Sequence, residues 1–215
     1  TLEPRLYYLF TPRRRSQNDY PVFDSDELDV NFAALFRENR FNGADRIGDA
    51  NQATLALTSR TLDRDTGDEL FRASIGQIRY FQDRDVQLPG EEPDTDNSSD
   101  IVSEVTARLT DNWSSHSALI WDPDERKPSQ ASTRFHYQTP SNRILNLSYR
   151  YRRGILQQTD LAARWPLADR IHGVGRWNYS LRDDTTLDGF VGIEYESCCW
   201  LARAVMRHWV TGDDA

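Results

Sequence analysis

Cys198 and Cys199 stand side by side in VGIEYESCCWLARAV (191–205), and they are the only cysteines in 215 residues. Neighbours on an extended chain point to opposite faces. A disulfide between them is strained, because a trans peptide holds their Cα atoms only about 3.8 Å apart. Three chemistries remain open: two buried inert thiols, a strained vicinal disulfide, or a bond from each to a cysteine outside this sequence. The pair points to an oxidising compartment. There, thiols without internal partners favour the third.

Other chemistry-bearing residues are weaker signals. Glu194 and Glu196 share one strand face and have the residue types of an acid/base pair for glycoside cleavage, although solvated strands carry such pairs routinely. The histidines (His116, His136, His172 and His208) fall on separate segments without ligand spacing. The loop GEEPDTDNSSD (90–100) offers carboxylates to a divalent cation, a solvated loop being the commoner use. NGADRIGDA lacks phosphate-loop spacing, and no nucleophile elbow or Ser/His/Asp grouping stands out. The expectation is a chain without catalysis, cofactor or metal.

Period two governs the elements that carry these residues. In RILNLSYRYR, Leu145, Leu147, Tyr149 and Tyr151 alternate with Asn146, Ser148, Arg150 and Arg152. The same alternation runs through STRFHYQ, IVSEVTARL and DLAARWP. Further strands are expected over 2–10, 29–36, 50–61, 69–81, 115–122, 171–181, 187–197 and 199–210. That makes about a dozen, many near the ~9–11 residues that a tilted strand needs to cross a bilayer. In FRASIGQIRYF the alternation slips phase at Gly76, which predicts a β-bulge.

Composition fits strands that spread apolar residues among polar ones. Only 38% of residues are hydrophobic and 28% are charged, yet aromatics at 11% are too many for a disordered chain. The net charge of −8 argues against nucleic acid as a partner. Of 26 basic residues only Lys127 is a lysine. The start at TLEPRLYYLF, without Met, is read as a piece of a longer protein.

Connections fall into two classes. RDTGD (64–68), TDNWS (110–114), TPSN (139–142) and LADR (167–170) are short, whereas 11–29, 37–49 and 83–100 are long and charged. Short turns at one end and long loops at the other suit an outer-membrane barrel. Tyr149, Tyr151, Trp165, Trp177, Tyr179 and Tyr195 sit toward strand ends, as interfacial girdles require. Arg134, Arg150, Arg164, Arg176, Glu194, Arg203 and Arg207 occupy polar-face positions and would face a wet lumen. The fold expected is all-β, with antiparallel strands forming part of a large outer-membrane barrel. The alternative is a soluble β-sandwich that binds or cleaves carbohydrate around Glu194.

GIEYESCCWLARAVMRHW resembles the C-terminal barrel signature of the LptD family, the outer-membrane lipopolysaccharide-assembly or organic solvent tolerance proteins. TLEPRLYYLFTPRR, LFRENRFNGADRIGDANQATLALTSR, ASIGQIRYFQDRDVQL and WPLADR resemble that family in the same order, from Thr1 to about Val210. DRIGDANQ and SCCW are the most specific pieces. The resemblance implies a barrel plugged by the lipoprotein LptE, inserted by the barrel assembly machinery and surrounded by outer-membrane lipid. It implies a preceding periplasmic jellyroll, which joins the Lpt bridge and passes lipopolysaccharide to a lateral opening in the barrel. It also implies that Cys198 and Cys199 bond two cysteines near that jellyroll. By the same match, residues 1–215 form a partial barrel domain, with the jellyroll and the first and last barrel strands lying outside this sequence.

Overall fold

The computed structural model describes residues 1–14, 16–17 and 21–209. Eleven strands form one antiparallel sheet in sequential order. They are β1 (Leu2–Thr11), β2 (Ala50–Leu62), β3 (Glu69–Tyr80), β4 (Ile101–Arg108), β5 (Trp113–Asp122), β6 (Lys127–Gln138), β7 (Ile144–Arg152), β8 (Leu156–Ala168), β9 (Ile171–Ser180), β10 (Thr185–Glu196) and β11 (Leu201–Trp209). Val210, at the end of the strand expected over 199–210, lies outside the described residues. So do four residues of the connection expected over 11–29. The chain divides into two compact units, Thr1–Thr61 with Arg72–Glu104 and Leu119–Ser129, and Leu62–Phe71 with Val105–Ala118 and Gln130–Ala215.

In the first unit the strand expected over 29–36 is replaced by a single 3-10 turn, Ala34–Phe36. The reason is local. Asn31 Oδ1 accepts from the Ala34 amide at 2.9 Å, and Asn31 Nδ2 donates to the Asp29 carbonyl, so side chains take the groups a ladder would use. Phe32, Leu35 and Phe36 also recur at helical spacing rather than period two. The loops expected over 11–29 and 37–49 are therefore one connection. Leu35 is buried with Ile78, Val102 and Ile120, and Phe32, Phe36 and Tyr80 pack against them. The Leu35 carbonyl accepts from Thr54 Oγ1 at 2.7 Å.

This strap explains Gly76. Burial alternates through it without a break: Ser74, Gly76 and Ile78 are buried while Ile75 is exposed. A Cβ at Gly76 would sit 2.8 Å from Leu35 Cδ1. The apparent slip in the sequence arises because Ile78 and Tyr80 turn apolar side chains toward the strap, at positions that alternation would otherwise give to polar residues. The residues expected to mark a bulge mark a docking site instead.

Buried polar groups tie the strap to the connection 81–100. Asp49 accepts the amides of Asp85 and Val86 at 3.0 Å each, and Arg40 reaches the Asp49 and Val86 carbonyls. Arg46 donates to the carbonyls of Gln17 and Gln87. Arg84 pairs with Asp94 and lies over the Tyr80 ring. The stretch DRIGDANQ thus supplies buried structural groups, Arg46, Asp49 and Gln52, around an exposed Ile47.

The second unit contains most of β6 and all of β7–β11. Its connections 109–112, 139–143, 169–170 and 197–200 are short, and so are 153–155 and 181–184. The alternation of long with short connections is therefore confined to the chain before β4. Short hairpins close on residues at positive φ, among them Asn142, Arg170 and Asp184, while Gly154 does so without a Cβ penalty.

Candidate functional site: a charged sheet face and the cysteine turn

Pairing register assigns the sheet two unlike faces. Arg134 stands opposite Ser148, Ser148 opposite Asp160, and Ala162 opposite Arg176. Phe190 stands opposite both Arg176 and Arg207, and Glu194 opposite both His172 and Arg203. With Arg150 facing Gln158 and Arg164 facing Ile144, all seven residues expected on the polar face share one face. The other face carries Leu147, Leu161, Val191, Ile193 and Met206, each exposed rather than covered, Met206 to 77%. A sandwich would bury that face against a second sheet. Among the described residues there is one sheet.

Aromatic residues frame the apolar face. Trp113, Tyr137 and Trp165 form a row near the short turns, with ring centroids 4.8 and 6.4 Å apart. Tyr195 and Trp200 meet at 5.0 Å beside the cysteines, and Trp177 and Tyr179 contact each other toward the opposite end of β9.

Ion pairs stitch the polar face across strands. Asp160 holds Arg176 at 2.7 Å and Asp188 holds Arg207 at 3.0 Å. Glu194, 1% exposed, is the centre of the densest cluster. One carboxylate oxygen accepts from Arg164 at 2.8 Å, and the other accepts from Arg203. Arg164 also reaches Glu196 at 2.8 Å. This overturns the acid/base reading of Glu194 and Glu196. A buried carboxylate held by two guanidiniums has no free lone pair aimed at a substrate, and the carbohydrate-cleaving alternative loses its site. His172 joins the two glutamates with ligand atoms within 4.8 Å. However, both carboxylates already hold arginines, whose charge opposes a cation. Two further histidines serve polar contacts: His116 Nδ1 meets Thr106 Oγ1 at 3.1 Å, and His136 Nδ1 meets Asn146 Oδ1 at 2.6 Å.

The cysteines occupy the 197–200 connection at the end of this network. β10 delivers them at Glu196, whose carboxylate is held by Arg164 and whose backbone amide donates to the Arg170 carbonyl at 2.8 Å. The turn closes through the Ser197 amide on the Trp200 carbonyl at 2.9 Å. Both thiols are free and exposed, so the buried-thiol reading fails. Their sulfurs lie 2.8 Å apart. The Cys199 thiol beside it, and then the Ser197 hydroxyl, hold Cys198 below the ordinary thiol value, and the same contact pushes Cys199 up. Such a pair loses its protons in two separate steps that belong to the pair rather than to either residue, and the thiolate is the species that enters disulfide exchange.

Sequence reasoning missed the strap and its supports, the half-buried Arg40 and the buried Asp49 and Arg84. The helical spacing of Phe32, Leu35 and Phe36 was the available signal.

Comparison with known proteins places these features. A family model described as LPS transport system D matches residues 1–171. The LPS-assembly protein LptD of Nitrosococcus oceani is 48% identical over 211 residues, covering 98% of this chain and 28% of the relative. Those of Thiobacillus denitrificans and Pseudomonas fluorescens are 38% and 36% identical, each over the whole of this chain and under a third of their own length. The chain thus spans less than a third of the curated relatives it matches. The all-β sheet, its two unlike faces and these matches agree, and this chain belongs to the LptD family.

Proposed function

We propose that residues 1–215 form part of the wall of an outer-membrane barrel that transports lipopolysaccharide and assembles it in the outer leaflet, without covalent chemistry on its cargo. The observation that carries this reading is the two-faced sheet. A charged face suits a wet lumen, while an exposed apolar face with aromatic ends suits lipid. The lipopolysaccharide-assembly role in the names of the relatives supports it. On this reading Arg134, Arg150, Arg164, Arg176, Glu194, Arg203 and Arg207 face the lumen, part of which LptE fills. The periplasmic Lpt bridge delivers cargo through a jellyroll outside this sequence. The barrel assembly machinery inserts the strands into the Gram-negative outer membrane.

Depleting the full-length protein should stop newly made lipopolysaccharide from reaching antibody on intact cells. Unchanged surface labelling would remove the transport role.

The cysteine turn has its own test. Each cysteine bonds a cysteine elsewhere in the full-length protein, a reading supported by two exposed thiols at one tight turn and by strain against their joining each other. In protein from the native membrane, neither thiol should alkylate before reduction. Cys198→Ser and Cys199→Ser should each change the non-reduced mobility. Free alkylation of both, or a bond only between them, contradicts the assignment.

A further inference from the structure

Most arginines on the polar face are matched to carboxylates, but two are not. Arg134 makes no hydrogen bond or ion pair among the described residues. Arg150 has one contact, to Gln158 Oε1 at 3.5 Å, beyond the usual reach of a hydrogen bond. The two lie on neighbouring strands, with Arg134 opposite Ser148 and Arg150 opposite Ser132. That makes them diagonal neighbours, about 7–8 Å apart at their stems. Arg176 faces the same cavity of about 430 Å3, with His116, Asn146 and Asp160 on its walls. Three guanidiniums thus meet one carboxylate, in a chain whose net charge is −8.

Like charges repel one another, and although solvent screens these three exposed guanidiniums in part, an entering anion would relieve what repulsion remains. Guanidinium forks match the oxygens of a phosphoryl group two at a time. Neutral donors remain nearby. His116 uses Nδ1 on Thr106 and keeps Nε2, while Asn146 uses Oδ1 on His136 and keeps its amide hydrogens. Ser132 and Ser148 add hydroxyls to the cavity lining. The volume lies in the range of small-molecule sites. Its polar lining fits hydroxyl-rich chemistry better than an acyl chain.

We propose that Arg134, Arg150 and Arg176 form an oxyanion pocket for a phosphoryl group carried on a saccharide. The proposal rests on the transport reading and gives that cargo a place to pause on the charged face. Arg176 keeps Asp160 as a tether, so the pocket holds its ligand weakly enough to release it. Arg134 and Arg150 supply the free forks.

The test uses the full-length protein, assembled in its native membrane, with a photoreactive benzoylphenylalanine in place of Ser132. The probes are purified phosphorylated lipopolysaccharide, the same material after removal of its phosphates with hydrofluoric acid, and inorganic phosphate. Cross-linking of the intact lipopolysaccharide should fall about tenfold, or ~1.4 kcal/mol, on dephosphorylation. It should fall to the same level in Arg134→Gln/Arg150→Gln. Arg134→Gln alone, with the mobility of the parent protein, should give an intermediate loss and rules out misfolding as the cause. Inorganic phosphate should compete only at large excess. Competition at concentrations equal to the lipopolysaccharide would make free phosphate the ligand and overturn the saccharide assignment. Cross-linking to a protein in place of lipopolysaccharide would overturn the proposal in favour of an acidic segment. Lipopolysaccharide cross-linking that ignores both dephosphorylation and the variants would overturn the pocket and leave transport standing. Its absence from every polar-face position of the otherwise unaltered protein would remove the transport reading as well.

Discussion

Leu35→Asp in the full-length protein should free the strap over residues 30–49 and open it to proteolysis, while the strands stay paired. Leu35 is 2% exposed and sits among Ile78, Val102, Ile120 and three aromatic rings. Arg5 and Arg84 stack on the Phe36 and Tyr80 rings, but the side chains around Leu35 are apolar, so an aspartate there is a charge or a protonated carboxyl buried among apolar groups, and either is costly. Leu35→Ala removes contacts without adding charge and should cost about 2–5 kcal/mol of docking. The strap would still hold part of the time through Asp49 and Arg46. Gly76→Ala provides an independent check, because its Cβ would lie 2.8 Å from Leu35 Cδ1 and 3.0 Å from Ala56 Cβ. Such overpacking costs about 1–3 kcal/mol. Combined with Leu35→Ala, the loss should be smaller than the sum, since the first change removes the nearest atom that the second one strikes. Time-resolved protease nicking of the full-length protein reads all three variants. A Leu35→Asp strap as resistant as the parent's would show that the cluster does not hold it.

That strap marks the boundary of what the sequence discloses. Period-two alternation places the eleven strands, because each residue of a two-faced sheet reports its own environment, though it also predicts one over 29–36 that the structure does not form. All seven charged residues expected on one face lie there for the same reason. Alternation fails where a third element covers the sheet. Ile78 and Val102 are apolar where the strap lies over them, and only the position of Leu35 makes sense of them. Partners within the charged face were equally hidden. Glu194 and Glu196 read as a free carboxylate pair, since nothing local reveals that register brings Arg203 opposite Glu194 and that Arg164 reaches across β9. Cross-strand pairing is a property of register, and a single strand does not contain it.

Glu194→Ala should loosen β11 and the cysteine turn together, more than the loss of either arginine alone. Every residue of β11 is exposed, and among the described residues its contacts across strands are the ladder to β10 and the Glu194–Arg203 and Asp188–Arg207 pairs. Removing one member of a buried pair costs about 3–5 kcal/mol, because the other charge is left desolvated. The lower end applies here, because solvent already screens one of the partners. The Arg203 side chain is 51% exposed and regains water, whereas Arg164 at 19% does not. Arg203→Ala should cost least, as Glu194 keeps Arg164. Arg164→Ala should fall between, and it alone also releases Glu196 at the base of the turn. Glu194→Gln keeps the shape and should lose less than Glu194→Ala. Hydrogen exchange of the 201–209 amides in the full-length protein orders the four variants. Alkylation of Cys198 and Cys199 after reduction reports the turn, and should quicken most in Glu194→Ala and Arg164→Ala. Equal exchange across the series would mean that the backbone ladder alone holds β11. In that case the buried carboxylate would have no part in presenting the cysteines.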